Sequence, residues 1–415
     1  MEKKLKIGMF GFGCVGQGLY DIFTKTDFQA EIQLICVKDK SKKRSIDASY
    51  FTYEKDDILD NPEINLVVEM IDDAEAAYEI VKKALLKGKN VVTANKKMVA
   101  LHIEELVEIQ QQTGTSLLYE AAACGSIPII RTLAEYYDNE WLYSVSGIFN
   151  GTSNYILTKV IQENLDYPTA LKQAQELGFA ETDPTADVGA FDPLYKLCLV
   201  VAQAYGKFIP PQEIFNYGIS SLAPQDIQYA KEKGLKIKLI AAVSKVEDRE
   251  ITLSVMPYFV DAKHYLYNVE NEYNGVVVEA AFSDKQIFIG KGAGGHPTGS
   301  AVLSDISACR YDYRYEYRKA HQQEAISYTR HYPIEVYLRY QDERDIADID
   351  FYEISEQHIA KEFKYVIAVI SLEQLFELKT DLPQRNIFIA NTGRRVAREV
   401  LLGTLENKIA VSDFI

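Results

Sequence analysis

At 415 residues the chain is long enough for two or three domains with sizeable cores. Hydrophobic residues make up 47% and charged residues 25%, an ordinary globular balance, while a formal net charge of −15 repels phosphate backbones and anionic bilayers. Neither nucleic acid nor a membrane is therefore expected as a partner. No run of ~18 apolar residues occurs, and the opening "MEKKLKIGMFGFGCVG" is too broken by charge for a secretory signal. Cys14, Cys36, Cys124, Cys198 and Cys309 are scattered without metal-ligand spacing, so they read as reduced thiols of a cytoplasmic protein.

The first elements follow a simple rhythm. "LKIGMF" (5–10) is an apolar strand entering "GFGCVG" and then the helical pattern "QGLYDIFTK". "EIQLICV" (31–37) and "INLVVEMI" (64–71) are further strands. "AEAAYEIVKKALLKG" is a helix stopped by Gly88, followed by the strand and turn "NVVTANK", the helix "IEELVEIQQQTG" and a fifth strand, "TSLLYEAA". Alternating strand and helix means parallel βαβ units and a doubly wound α/β sheet. After about residue 140 the pattern changes. "TSNYILTKVIQEN", "YPTALKQAQELG" and "PLYKLCLVVAQAYG" are helical, and strands dominate 235–290, so this part reads as an α+β domain on one sheet. "GKGAGGHPTGSAVLSDISAC" looks like a glycine loop running into a helix. "YDYRYEYR" alternates tyrosine with charge; in so acidic a chain it reads as one aromatic face rather than a stacking platform for single strands. The expected organisation is a nucleotide-binding domain over 1–140 with 291–320 packing back on it, a catalytic and subunit-joining domain over 141–290, and a small α/β domain over 331–415.

Three motifs carry chemistry. Gly11, Gly13 and Gly16 have the G-x-G-x-x-G spacing between a strand and a helix, with Cys14 and Val15 at the helix start. That context suits a dinucleotide pyrophosphate over free backbone N–H groups. The second strand ends in "VKDKSKKR". Asp39 suits a ribose 2′-hydroxyl, whereas Lys38 and its basic neighbours suit a 2′-phosphate; the cations tip the expectation toward NADP, with NAD also accepted. "VVTANKK" puts Thr93 and Lys96 at the carboxyl edge of a strand, which faces the ligand crevice in open α/β sheets.

The third motif is "ETDPTADVGAFDPLYK" (181–196). Asp192 and Lys196 are four residues apart at the start of a helix and share a face, with Asp192 expected as N-cap and Pro193 at the first helical position. The helix dipole disfavours an ammonium there and the carboxylate favours it, so Lys196 is a candidate for proton exchange with a substrate oxygen. Glu181 and Asp187 can hold an ammonium. A plain capped helix with one salt bridge is the competing interpretation.

Six ordered segments, "GFGCVG", "VVTANK", "YEAAACGSIPII", "GIFNGTSNYIL", "ELGFAETDPTADVGAFDPLYKL" and "GKGAGGHPTGSAVLSDI", resemble homoserine dehydrogenases over roughly residues 1–310. The resemblance implies hydride transfer between L-homoserine and L-aspartate 4-semialdehyde with NADP or NAD, in threonine, methionine and isoleucine synthesis. It implies Lys196 as general acid–base, with Lys96 close to the chemistry. Glu181, Asp192 and Thr152 fall to the substrate, Thr93 and Gly294 to the cofactor. A monovalent cation, Na⁺ or K⁺, would sit on the carbonyls of Glu120, Ala123, Gly125 and Ile127. It also implies a homodimer or homotetramer and a degenerate ACT-like tail. The chain departs from the family pattern at Asp72-Asp73, Cys124, Ser126 and Phe179. A non-catalytic nucleotide sensor, or a dehydrogenase of another small metabolite, is the alternative.

Overall fold

Short runs of β-branched residues alternating with amphipathic helices form the sheet that opens the chain. In the computed structural model, which describes residues 4–26, 28–321, 325–361 and 363–401, its strands are β1 (Leu5–Phe10), β2 (Ala30–Cys36), β3 (Phe51–Thr52), β4 (Leu66–Glu69), β5 (Asn90–Thr93) and β6 (Leu117–Leu118). All neighbours are parallel and the order is β3-β2-β1-β4-β5-β6. The order reverses between β1 and β4, which puts the ligand crevice of such a sheet at their carboxyl ends. The helices are α1 (Cys14–Lys25), α2 (Asp56–Leu59), α3 (Ala74–Leu86), α4 (Lys96–Thr113) and α5 (Ile130–Glu135).

This sheet belongs to the first of two compact units, residues 1–139, 198–211 and 290–322. The last segment supplies the helix Gly295–Cys309, α11 in chain order, which crosses α1 at backbone contact. A Cβ on Gly18 would fall 2.2 Å from the Gly295 carbonyl oxygen, and one on Gly299 2.7 Å from the Leu19 nitrogen. The tyrosine alternation of 311–317 forms no strand. Tyr315 and Tyr317 are buried, and the Tyr317 hydroxyl lies 2.8 Å from that of Tyr119, to which Gln203 donates at 2.7 Å. These rings are core.

The second unit, residues 140–197, 212–289 and 323–415, is built on a larger mixed sheet. Its strands are β7 (Leu142–Ile148), β8 (Phe215–Asn216), β9 (Lys236–Glu247), β10 (Glu250–Val260), β11 (Tyr273–Ala280), β12 (Asp284–Lys291), β13 (Ser327–Tyr328), β14 (Pro333–Tyr340), β15 (Glu353–Ile359), β16 (Lys364–Ser371) and β17 (Phe388–Asn391). The order is β12-β11-β7-β9-β10-β17-β14-β16-β15, with β8 and β13 alongside β10. Helices α6 (Gly151–Gln162), α7 (Tyr167–Glu176), α8 (Thr185–Val188), α10 (Pro224–Glu232) and α12 (Leu372–Glu377) belong to this unit, and the unit boundary falls within α9 (Phe191–Tyr205).

The tail was expected to stand apart as a domain of its own. Its strands instead extend this sheet through the parallel pair Tyr258–Asn391. Within the tail, β17-β14-β16-β15 are antiparallel throughout, the order of a split β-α-β-β-α-β module. The first helix of that module is reduced to the 3₁₀ turn Glu343–Asp345, since "DERDIADID" carries too much charge and too few apolar positions to build one. All five cysteines are free thiols, and among the described residues no helix is long and apolar enough to cross a membrane.

Candidate functional site

In the first unit the crevice is made mainly from backbone. At the end of β1 the chain turns through Gly11 at φ +96°, where a Cβ would lie 2.7 Å from the Met70 carbonyl oxygen. A Cβ on Gly16 would strike the Gly11 carbonyl at the same distance, whereas one on Gly13 would meet nothing within 4 Å. Gly13 is thus the open glycine of the three. It caps α1 without a side chain, and Cys14 and Val15 follow with N–H groups of the first helical turn. Gly294, at φ +119°, caps α11.

Beside this turn the loop after β2 is tied to itself. The Asp39 carboxylate accepts from Ser41 N at 2.8 Å and Ser41 Oγ at 2.7 Å, bonds that hold its pKa below the usual range. The Arg44 guanidinium donates to the Asp39 and Lys42 carbonyls and lies 5.0 Å over the Phe51 ring. The two acids at 72–73 find a local role in part. Asp73 caps α3 by accepting from Ala76 N at 3.1 Å and pairs with Lys38 at 3.5 Å.

Glu69, which nothing in the sequence reading singled out, joins the next two loops. It faces Thr93 in register across β4 and β5. Its carboxylate accepts from the Thr93 hydroxyl at 2.5 Å and from Ile71 N at 2.6 Å, and it is fully buried. Burial pushes its pKa up to about 7. Thr93 Oγ also accepts from Asn95 N at 3.0 Å, while the Asn95 side chain donates to the Ile71 carbonyl and caps α4, whose first residue is Lys96. The Thr93 hydroxyl is therefore turned inward, its proton committed to Glu69.

The segment 119–127 is buried apart from Ser126 and holds a 3₁₀ turn at Glu120–Ala122. The Glu120 carboxylate accepts from the backbone of Ile130 and Arg131 at 2.8 Å each, so its side chain anchors the start of α5. Asp305 in turn accepts from Glu120 N at 2.8 Å and from Arg131 Nη2 at 2.5 Å. Gly125 takes φ +58°. Among the described residues the carbonyls of Ala123 and Gly125 accept no backbone hydrogen bond, while those of Glu120 and Ile127 each accept one.

In the second unit the site is made from side chains. Strand β7 ends at Ile148, and Asn150 caps α6 by accepting from Ser153 N at 2.7 Å. Its amide nitrogen donates to two carboxylates, Asp187 at 2.7 Å and Asp192 at 2.9 Å. Lys196 Nζ donates to Asp192 Oδ2 and to the Phe149 carbonyl, both at 2.7 Å. Asp192 and Lys196 are 6% and 7% exposed, so the salt bridge between them is buried. Asp192 is not the N-cap that the sequence led us to expect. The helix begins at Phe191, after Ala190 at φ +67°, which places Asp192 inside it, and the carboxylate accepts from Lys196 and Asn150. Thr152 donates to the Phe179 carbonyl at 2.6 Å. Glu181 is exposed, lies outside the Asn150 hub, and has no ion-pair partner among the described residues.

Comparison with known proteins agrees with both halves. The family model for the NAD binding domain of homoserine dehydrogenase matches residues 11–120, and the homoserine dehydrogenase model matches 128–307. The chain is 35% identical to the homoserine dehydrogenase of Bacillus subtilis over 74% of its own length and 73% of that protein's. It is 36% identical to that of Helicobacter pylori over 74% of each. The chain belongs to the homoserine dehydrogenase family. It is an NAD(P)-dependent oxidoreductase of that family, and the reading as a non-catalytic sensor is set aside.

Among solved structures, a homoserine dehydrogenase from Thiobacillus denitrificans superposes with a TM-score of 0.80 at 27% identity, over 94% of this chain and 99% of that one. A hyperthermophilic archaeal homoserine dehydrogenase in complex with NADPH gives 0.66 at 25% identity, over 75% of this chain and 99% of that one. For a homoserine dehydrogenase the residues missed above had faint signals. Glu69 is an acid inside the apolar run "LVVEMI", and Asn150 precedes "GTSN" in an N-cap position.

Proposed function

We propose that Lys196 exchanges the proton of the substrate's terminal oxygen, and one observation carries this. Its Nζ has two acceptors, Asp192 Oδ2 and the Phe149 carbonyl, which occupy two of its three hydrogen directions. The third direction remains for a substrate oxygen. As an amine it presents a lone pair there and removes the hydroxyl proton of homoserine; as an ammonium it returns that proton to the aldehyde oxygen. A nicotinamide cofactor supplies the hydride chemistry when bound. Asp192 and Asp187, gathered by Asn150, and the exposed Glu181 are proposed to hold the substrate's ammonium. Thr152 supports the Phe179 carbonyl at the edge of this site.

Replacing Lys196 by alanine is expected to lower kcat by roughly 10²–10⁴-fold, with cofactor affinity unchanged by nicotinamide fluorescence. Near-normal turnover would refute the role.

For the cofactor, Gly11, Gly13, Gly16 and the N–H groups of Cys14 and Val15 are proposed to receive the pyrophosphate, with Thr93, Lys96 and Gly294 lining its far end. NADP is favoured over NAD. Asp39 is held within its own loop, while Lys38 and the Phe51-stacked Arg44 offer cations to a 2′-phosphate. The carbonyls of Ala123 and Gly125, with those of Glu120 and Ile127, are proposed to suit Na⁺ or K⁺. Steady-state rates with NADPH and NADH, in potassium and in choline buffers, test both assignments. A homodimer is proposed through the exposed apolar side chains Trp141, Tyr143, Phe282 and Ile287 of the second unit; Trp141 and Phe282 are 66% and 69% exposed. The tail is proposed to be an ACT-like remnant, and the enzyme to serve threonine, methionine and isoleucine synthesis in the cytoplasm.

A further inference from the structure

The tail lies beyond the residues matched by the family models, and the reading of the site assigns it no part in the reaction. Its contacts within the second unit do. The Arg339 guanidinium, 6% exposed on β14, donates through Nε to both oxygens of the fully buried Asp226, at 2.9 and 3.0 Å, and the Tyr337 hydroxyl adds a bond at 3.0 Å. Through Nη2 the same guanidinium donates to the Ser221 carbonyl at 2.9 Å. The buried Tyr217 hydroxyl donates to the Ile387 carbonyl, just before β17, at 3.1 Å and lies 2.5 Å from Ser221 Oγ. The tail thus holds the segment 215–226 at three points.

That segment holds the substrate loop in its turn. Ile219 N donates to the Val188 carbonyl at 2.8 Å, and the Asn216 side chain donates to the Gly189 carbonyl at 3.0 Å. The fit is close: a Cβ on Gly218 would fall 1.8 Å from the Val188 carbonyl oxygen. Val188 and Gly189 stand between Asp187 and Asp192, the two carboxylates that share Asn150. A chain of bonds with no gap therefore runs from β14 and the approach to β17 to the carboxylates beside Lys196.

We propose that Arg339 and Tyr217 are positioning residues, through which the tail fixes the Asp187–Asp192 loop for substrate binding. The role rests on the reading of Asp187, Asp192 and Lys196 as the substrate site. Of these three anchors, that from Tyr217 to Ile387 is a neutral hydrogen bond, while the two from Arg339 are charge-assisted. Losing the one from Tyr217 to Ile387 loosens the loop without removing any group that touches substrate.

The test uses the full-length enzyme. Tyr217→Phe is expected to raise the KM for homoserine roughly 2–10-fold, with cofactor affinity and kcat near the parent values. The double variant Asp226→Asn/Arg339→Met, which leaves no buried charge unpaired, is expected to raise it further. A merely structural role would lower the apparent kcat by loss of active enzyme and leave KM alone. KM within twofold of the parent for Tyr217→Phe overturns the proposal, whether or not the double variant folds. Lys196→Ala separates the two readings. If it turns over normally, the assignment of the site falls; if it is inactive while Tyr217→Phe keeps the parent KM, only the positioning role falls.

Discussion

The two units build their candidate sites from different materials. In the first, the nucleotide turn is shaped by where side chains are missing, at Gly11, Gly13 and Gly16. In the second, the carboxylates and the lysine are held by side-chain bonds that converge on Asn150. A site made of absences tolerates little addition, and a site made of convergent bonds tolerates little removal. Substitutions that add or remove atoms therefore have opposite consequences in the two units.

The largest effect that sharpens this contrast is expected from Asn150→Ala. It removes an N-cap and the donor that Asp187 and Asp192 share. Hydrogen bonds to charged groups are worth about 1.5–3 kcal/mol, so kcat/KM for homoserine should fall roughly 10–100-fold with cofactor binding intact. Unchanged substrate kinetics would show that the hub is only a cap.

Next comes an addition in the first unit. A Cβ at Gly13 meets nothing within 4 Å, and the residue's φ of −81° suits alanine. Gly13→Ala should melt like the parent yet bind cofactor about tenfold more weakly, because on the proposed assignment the methyl occupies the approach of the pyrophosphate. Gly11→Ala, at φ +96° against Met70, should lose stability instead. Equal cofactor affinity in Gly13→Ala and the parent would break the comparison.

The smallest effect concerns pH and takes opposite signs in the two units. Burial raises Glu69 from 4.5 to about 7, so the folded state holds a proton there that the unfolded chain has released, and stability falls as pH rises from about 4.5 to 7. Lys238 is buried on β9, donates to the Val269 carbonyl at 2.5 Å, and is lowered from 10.5 to about 7. There the unfolded chain holds the extra proton, and stability rises with pH from about 7 to 10.5. Denaturant melts across pH should lose the first slope in Glu69→Gln and the second in Lys238→Met, each by about 1 kcal/mol per pH unit. Parallel profiles for variant and parent would contradict the assignment.

The same contrast explains what could be seen without coordinates. Glycine spacing is local, and so were the strand–helix alternation, the parallel sheet and the turn at 11–16. The pairing of Asp192 with Lys196 was legible because both lie on one helical turn. Asn150 was not, since its three bonds reach partners 3, 37 and 42 residues away in the chain. Glu69 escaped because it is buried behind Thr93, whose hydroxyl it binds and which itself looked like the contact. The tail was misjudged as separate for a related reason: β17 meets β10 through one residue pair, a register that no local pattern announces.

The crossing of α1 and α11 carries a consequence for synthesis. The glycines that let these helices touch lie at positions 18 and 295–299, so the nucleotide unit lacks a wall until most of the polypeptide has been made. A ribosome that has released only the first 140 residues has delivered all six parallel strands but not α11. That fragment must wait with apolar surface uncovered, an interval in which chaperones have most to protect.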